Sequence, residues 1–83
     1  MYVHLGNETV VKENEIIGIF DIETTTVSQK TRIFLEKAEK NKIVKNVSYE
    51  LPKSFIVTNN KKENSVYISQ ISPLTLQKRS NIL

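Results

Sequence analysis

Apolar and polar positions alternate in short runs at the start of the chain. Residues 2–5 and 8–12 are β-favouring, and Gly6-Asn7 between them is a two-residue hairpin signal, because both tolerate the positive φ that such turns need. Lys12-Glu13-Asn14 marks a second turn. Residues 15–22 then read as a strand, with Ile16, Phe20 and Ile22 on one face and Ile17 and Ile19 on the other. A strand apolar on both faces is covered on both faces. In so short a chain, one of those covers is expected to be another subunit, which makes Ile17 and Ile19 the candidate oligomer interface.

The period changes after Thr24-Thr25-Thr26, a break with capping character. Residues 27–41 predict a helix with Val27, Phe34, Leu35 and Ala38 on its core face and Lys30, Arg32, Lys37 and Lys40 largely off it. Residues 43–51 are ambiguous, with Val47 and Tyr49 suggesting extended chain before Pro52. Residues 53–59 and 65–71 form two strands around the polar loop 60–64. Ser72-Pro73 opens a closing helix over about 74–80, Ser72 as N-cap and Pro73 at the first helical position. The tail 81–83 is expected to fray. The order β-β-β-α-β-β-α predicts one α+β domain over residues 1–83: a mostly antiparallel sheet of about five strands with two helices.

Composition narrows what such a domain can do. With 83 residues the chain buries only about 60–65% of its unfolded surface and is marginal alone. It has no Cys for a disulfide or thiolate metal site, and its single His, His4, is too few for a histidine zinc site. Self-association is the remaining means of stabilisation. The N-terminus lacks the basic and apolar regions of a signal peptide, and no run approaches the ~18 residues of a membrane span, so a cytoplasmic location without a membrane partner is expected. No nucleophile–base pair can be assembled around His4, and the two glycines, Gly6 and Gly18, make no phosphate-binding loop. The expectation is therefore a non-enzyme with no catalytic residue, metal, cofactor or small-molecule substrate.

Charge supplies the positive signal. Residues 1–23 set one lysine against five carboxylates, net −4, whereas residues 24–83 set eleven Lys/Arg against four carboxylates, net +7. Such asymmetry points to a nucleic-acid partner or to a complementary protein contact. Lysine and arginine neutralise phosphate and release counterions. The candidate contacts to double-stranded DNA are Lys30 and Arg32 on the first helix, Lys53 before its strand, and Lys78 and Arg79 on the closing helix. For Lys78 and Arg79 the competing reading is interaction with the helix dipole.

Several segments together carry a family resemblance. The run 2–6, then Val10-Val11, then residues 15–21 resemble the opening of RemB-type proteins. Residues 34–44 resemble that family's helix and its exit, and residues 52–58 and 71–79 its later strand and closing helix. The resemblance covers nearly the whole chain. It implies a bacterial transcriptional regulator of extracellular-matrix (biofilm) genes that forms a homo-oligomeric ring and binds DNA. RemA-type proteins carry an Arg at the start of the central strand and an Arg-Arg pair before the strand that follows the helix; this chain has Glu15 at the first position and Glu50 and Leu51 at the pair. That departure leaves a second function open: a protein-interaction or assembly module of the same regulatory pathway that does not bind DNA.

Because no chemistry is assigned to its imidazole, His4→Ala is expected to leave binding and any cellular phenotype nearly intact. A large functional loss in a folded, correctly assembled variant contradicts this reading.

Overall fold

The computed structural model describes residues 2–22, 29–47 and 50–79, with the backbone alone for 29–31. The expected break at 24–26, Val27, Tyr49 and the tail 81–83 lie outside the described residues. The described elements are β1 (Tyr2–Gly6), β2 (Thr9–Lys12), a 3-10 turn (Glu13–Glu15), β3 (Ile16–Asp21), α1 (Gln29–Lys40), β4 (Val44–Asn46), β5 (Ser54–Asn59), β6 (Asn64–Ser69) and α2 (Pro73–Arg79). The class is α+β as expected. The strands among the described residues number six rather than about five, and they form two sheets: the hairpin β1-β2, and a four-stranded sheet in the order β3-β5-β6-β4.

The turns follow local chemistry. Gly6 and Asn7 take φ of +128° and +48°, so the first hairpin turns where the Gly-Asn pair predicts. Loop 60–63 is closed by Asn60, whose N–H donates to Glu63 O and whose Oδ1 accepts from the N–H groups of Lys62 and Glu63. Ser72 caps α2, its Oγ accepting from Thr75 N at 3.3 Å. Helix α1 ends with Lys42 at φ +58°, with Lys42 N bonded to Glu39 O and Ile43 N to Ala38 O. This is the left-handed helix exit where glycine is the usual residue. It releases the chain straight into β4, resolving the ambiguous region as a short strand parallel to β6.

The four-stranded sheet is covered on both faces. On one face Ile56 packs with Val3, Leu5 and Val11 of the hairpin, Leu76 of α2, and Ile16 and Val47, with Ile19, Tyr67 and Ile71 against them. On the other face Phe55 and Val66 pack with Ala38 of α1, joined by Leu35, Ile43 and Val57. Buried hydroxyls tie the layers: Ser69 Oγ donates to Leu5 O at 2.6 Å and Ser54 Oγ to Ile71 O at 2.8 Å. Asn7 Nδ2 donates to Val47 O at 2.7 Å, tying the hairpin turn to the exit of β4.

Two expectations about faces are corrected. Ile16 does not share a face with Phe20. A register irregularity between Ile16 and Gly18 inserts one residue into β3, so Ile16 joins Ile19 on the hairpin side. Such a bulge breaks the two-residue alternation on which the expected grouping rests. Phe20 does face the α1 side, stacked on Phe55 at 5.0 Å between ring centroids. Gly18 leaves room for that ring, since a Cβ there would lie 2.6 Å from Phe20 Cζ. The second correction is Phe34, placed in the core by helical periodicity but 42% exposed. Helix α1 is anchored at its C-terminal end through Ala38 and Ile43, and its earlier turns present Ile33 and Phe34 to solvent.

Leu76 is fully buried at the meeting point of α2, hairpin and sheet, whereas Leu74 of the same helix is 63% exposed. Leu76→Ala is expected to destabilise the fold by about 2–5 kcal/mol and Leu74→Ala by about 0.5 kcal/mol or less. The urea midpoints of the two variants check this ordering.

Candidate functional site

The two covers of the sheet decide where the candidate cations lie. Helix α1 sits on the face of Phe55 and Val66, and it carries Lys30 and Arg32. Helix α2 sits on the opposite face, and it carries Lys78 and Arg79. Lys53 lies just before β5, with its backbone N–H bonded to Ser69 O and its carbonyl accepting from Ile22 N. The sheet therefore separates the α1 pair from the α2 pair, and one copy does not gather all five on one face. Arg32, Lys53, Lys78 and Arg79 are exposed, and the side chain of Lys30 lies outside the described residues.

Arg79 has a structural task. Its Nη1 donates to His4 O at 3.0 Å, fastening the end of α2 to β1. A guanidinium has five N–H donors, so one such bond leaves others for a phosphate. His4 is exposed, and its Nε2 bonds the carbonyl of Asn7, so the imidazole closes its own hairpin. Among the described residues, no three His, Cys, Asp or Glu side chains come together in a way that could hold a metal ion. No helix among them is long and apolar enough to cross a membrane.

The two candidate interface residues separate as well. Ile17, the residue beside the bulge, is 63% exposed. Ile19 is half-buried against the hairpin-side core, so its side chain already has a cover within the same chain.

Three further lysines share an environment that their sequence positions did not suggest. Lys12 at the end of β2 and Lys61 and Lys62 in the β5–β6 loop line one open cleft of about 650 Å³, together with Asn14, Glu15 and Asn60. In sequence, Lys61 and Lys62 read as an ordinary solvated hairpin loop. Their meeting with Lys12 depends on β3 pairing with β5, a contact between segments some 40 residues apart: Ile16 lies opposite Thr58. Lys45 of β4 is held over the Tyr67 ring, Nζ 5.5 Å from its centroid, a cation–π contact that the parallel pairing of β4 and β6 creates.

Likeness to known proteins covers the same ground. A family model described as RemA-like, extracellular matrix regulatory protein A-like, matches residues 2–79. Extracellular matrix regulatory protein B of Bacillus subtilis (strain 168) is 39% identical over 83 residues, spanning 100% of this chain and 94% of that protein. The family match runs from the first strand of the hairpin to the last residue of α2, the whole of the two-sided sheet and its covers. The chain belongs to the RemA-like family of extracellular matrix regulatory proteins and is of the B type.

Proposed function

We propose that this protein regulates extracellular-matrix (biofilm) genes as a homo-oligomeric, cytoplasmic transcription factor that binds double-stranded DNA. The observation that carries the reading is the full-length likeness to an extracellular matrix regulatory protein, in a chain whose residues 24–83 hold a net charge of +7. Arg32 and the Lys78–Arg79 pair lie on opposite sides of the sheet, so one copy offers a duplex only a few phosphate contacts. Repeating the same lysines and arginines along an assembly supplies the rest through effective concentration. The contacts act on the phosphate backbone. Lysine is a point charge, and sequence preference then comes mainly from how readily the duplex bends.

A specific feature favours a second reading. At the place where the RemA-type pattern has its paired arginines, this chain carries Glu50 and Leu51, and Leu51 is 80% exposed. A large apolar side chain in solvent suits a protein partner better than a phosphate. The protein would then be an interaction or assembly module of the same pathway.

Titration with duplex DNA over a salt series separates the two. Under the first reading the wild type binds at low salt, and affinity falls steeply as salt rises. A combined Lys53→Glu and Lys78→Glu variant binds about tenfold or more weakly while keeping its assembly mass. Lys78 is a cleaner target than Arg79, which also fastens α2 to β1. If the wild type fails to shift duplex DNA at ~50 mM salt, the interaction-module reading replaces the first.

A further inference from the structure

We propose that the open cleft between the approach to β3 and the β5–β6 loop is a binding site for a small ligand carrying linked phosphates, such as a nucleoside triphosphate or inorganic tripolyphosphate. Arg32, Lys53, Lys78 and Arg79 are not among its lining residues, so it stands apart from the candidate DNA contacts.

The fold gathers the cations. β3 pairs with β5 from Ile16 opposite Thr58, which brings the end of β2 and the 3-10 turn against the loop that follows Asn59. Lys12, Lys61 and Lys62 then line one cleft with Asn14, Glu15 and Asn60. Its volume of about 650 Å³ is that of a small-ligand pocket. All three lysines are exposed, and among the described residues none of them forms an ion pair. Glu15 removes one charge, so three lysines less one carboxylate leave +2 on the lining. Like charges held together without counter-charge raise the local potential and draw in anions. Cations converging on one volume fit a compact polyanion, whereas a duplex spreads its charge along a line, one per ~1.7 Å of its axis.

The loop is shaped before any ligand arrives. Asn60 Oδ1 accepts from Lys62 N at 2.8 Å and from Glu63 N at 2.9 Å, and Asn59 Nδ2 donates to Asn64 Oδ1 across the strand ends. Order already present lowers the cost of binding. Because its Oδ1 is committed to the loop, Asn60 keeps its Nδ2 as a donor, and the amide of Asn14 adds another. A lysine ammonium is a compact charge with three rotatable donors, suited to the several oxygens of a phosphate chain. Beside the cleft, Tyr2 lies opposite Lys12 in the β1–β2 ladder and is 63% exposed. Side chains directly opposite share a face. The ring is therefore placed to stack a base whose phosphates enter the cleft.

The test is calorimetric titration of the full chain with tripolyphosphate and, separately, with adenosine triphosphate at ~50 mM salt. Binding is expected. A Lys61→Ala and Lys62→Ala double variant binds about tenfold or more weakly, with its urea midpoint unchanged because both side chains are exposed. Lys12→Gln, on a different element, weakens binding in the same direction, so the result stands even if the loop variant loosens the turn. Glu15→Gln binds about threefold more tightly, a gain that a purely structural Glu15 would not give. Tyr2→Ala distinguishes the two sources: weaker binding of adenosine triphosphate alone assigns the site to a nucleotide, and no change for either ligand assigns it to the bare phosphate chain. A wild type that binds neither ligand up to ~1 mM, or a double variant that binds as well as the wild type, overturns the proposal. If neither small ligand binds and the double variant loses duplex DNA instead, the three lysines belong to a DNA track.

Discussion

Strand β5 is the constraint on which the rest depends. Four of its six residues in sequence, Ser54, Phe55, Ile56 and Thr58, are buried, and consecutive apolar side chains point into different cores. Ile56 needs the hairpin and α2 above it; Phe55 needs α1 and Phe20 below it. An 83-residue chain has little else with which to make a core, so both covers must be present for either to hold. The buried serines of β5 and β6 follow from the same crowding. Ser54 and Ser69 are small enough to fit between layers, and each spends its hydroxyl on a carbonyl of a neighbouring segment.

This arrangement also governs where charge is placed. Once the sheet is closed on both faces, the surfaces that remain are the outer sides of the covers and the edges of the sheet. The covers carry Arg32 on one side and Lys78 and Arg79 on the other. The edges carry the acidic approach to β3 and the basic approach to β4. A single copy therefore offers a duplex scattered cations rather than a continuous track.

Much of the local structure was legible along the chain because it depends on neighbours in sequence. Gly6-Asn7 turns because those residues accept positive φ, and Ser72-Pro73 starts a helix because one caps and the other lacks an N–H. The acidic start and basic remainder are plain counts, and the family resemblance is a property of residue order. Even the two-sided character of β3 was visible in Ile16, Ile17, Ile19 and Phe20, although the face of Ile16 was not.

What tertiary structure alone decided are the features set by distant pairing. The inserted residue near Ile17 exists because Ile16 registers with Thr58 while Gly18 registers with Val57, and no period within β3 encodes that slip. β4 is a strand because β6 lies beside it, not because Val44-Lys45-Asn46 favours extension. Phe34 is exposed because α1 is anchored by its other end, which helical periodicity cannot express. The cleft of Lys12, Lys61 and Lys62 arises for the same reason. The sequence by itself determined the elements other than β4, the charge and the family, since these rest on local conformational energies and residue order. The structure decided which side chains share a face or an edge, since that depends on contacts between segments tens of residues apart.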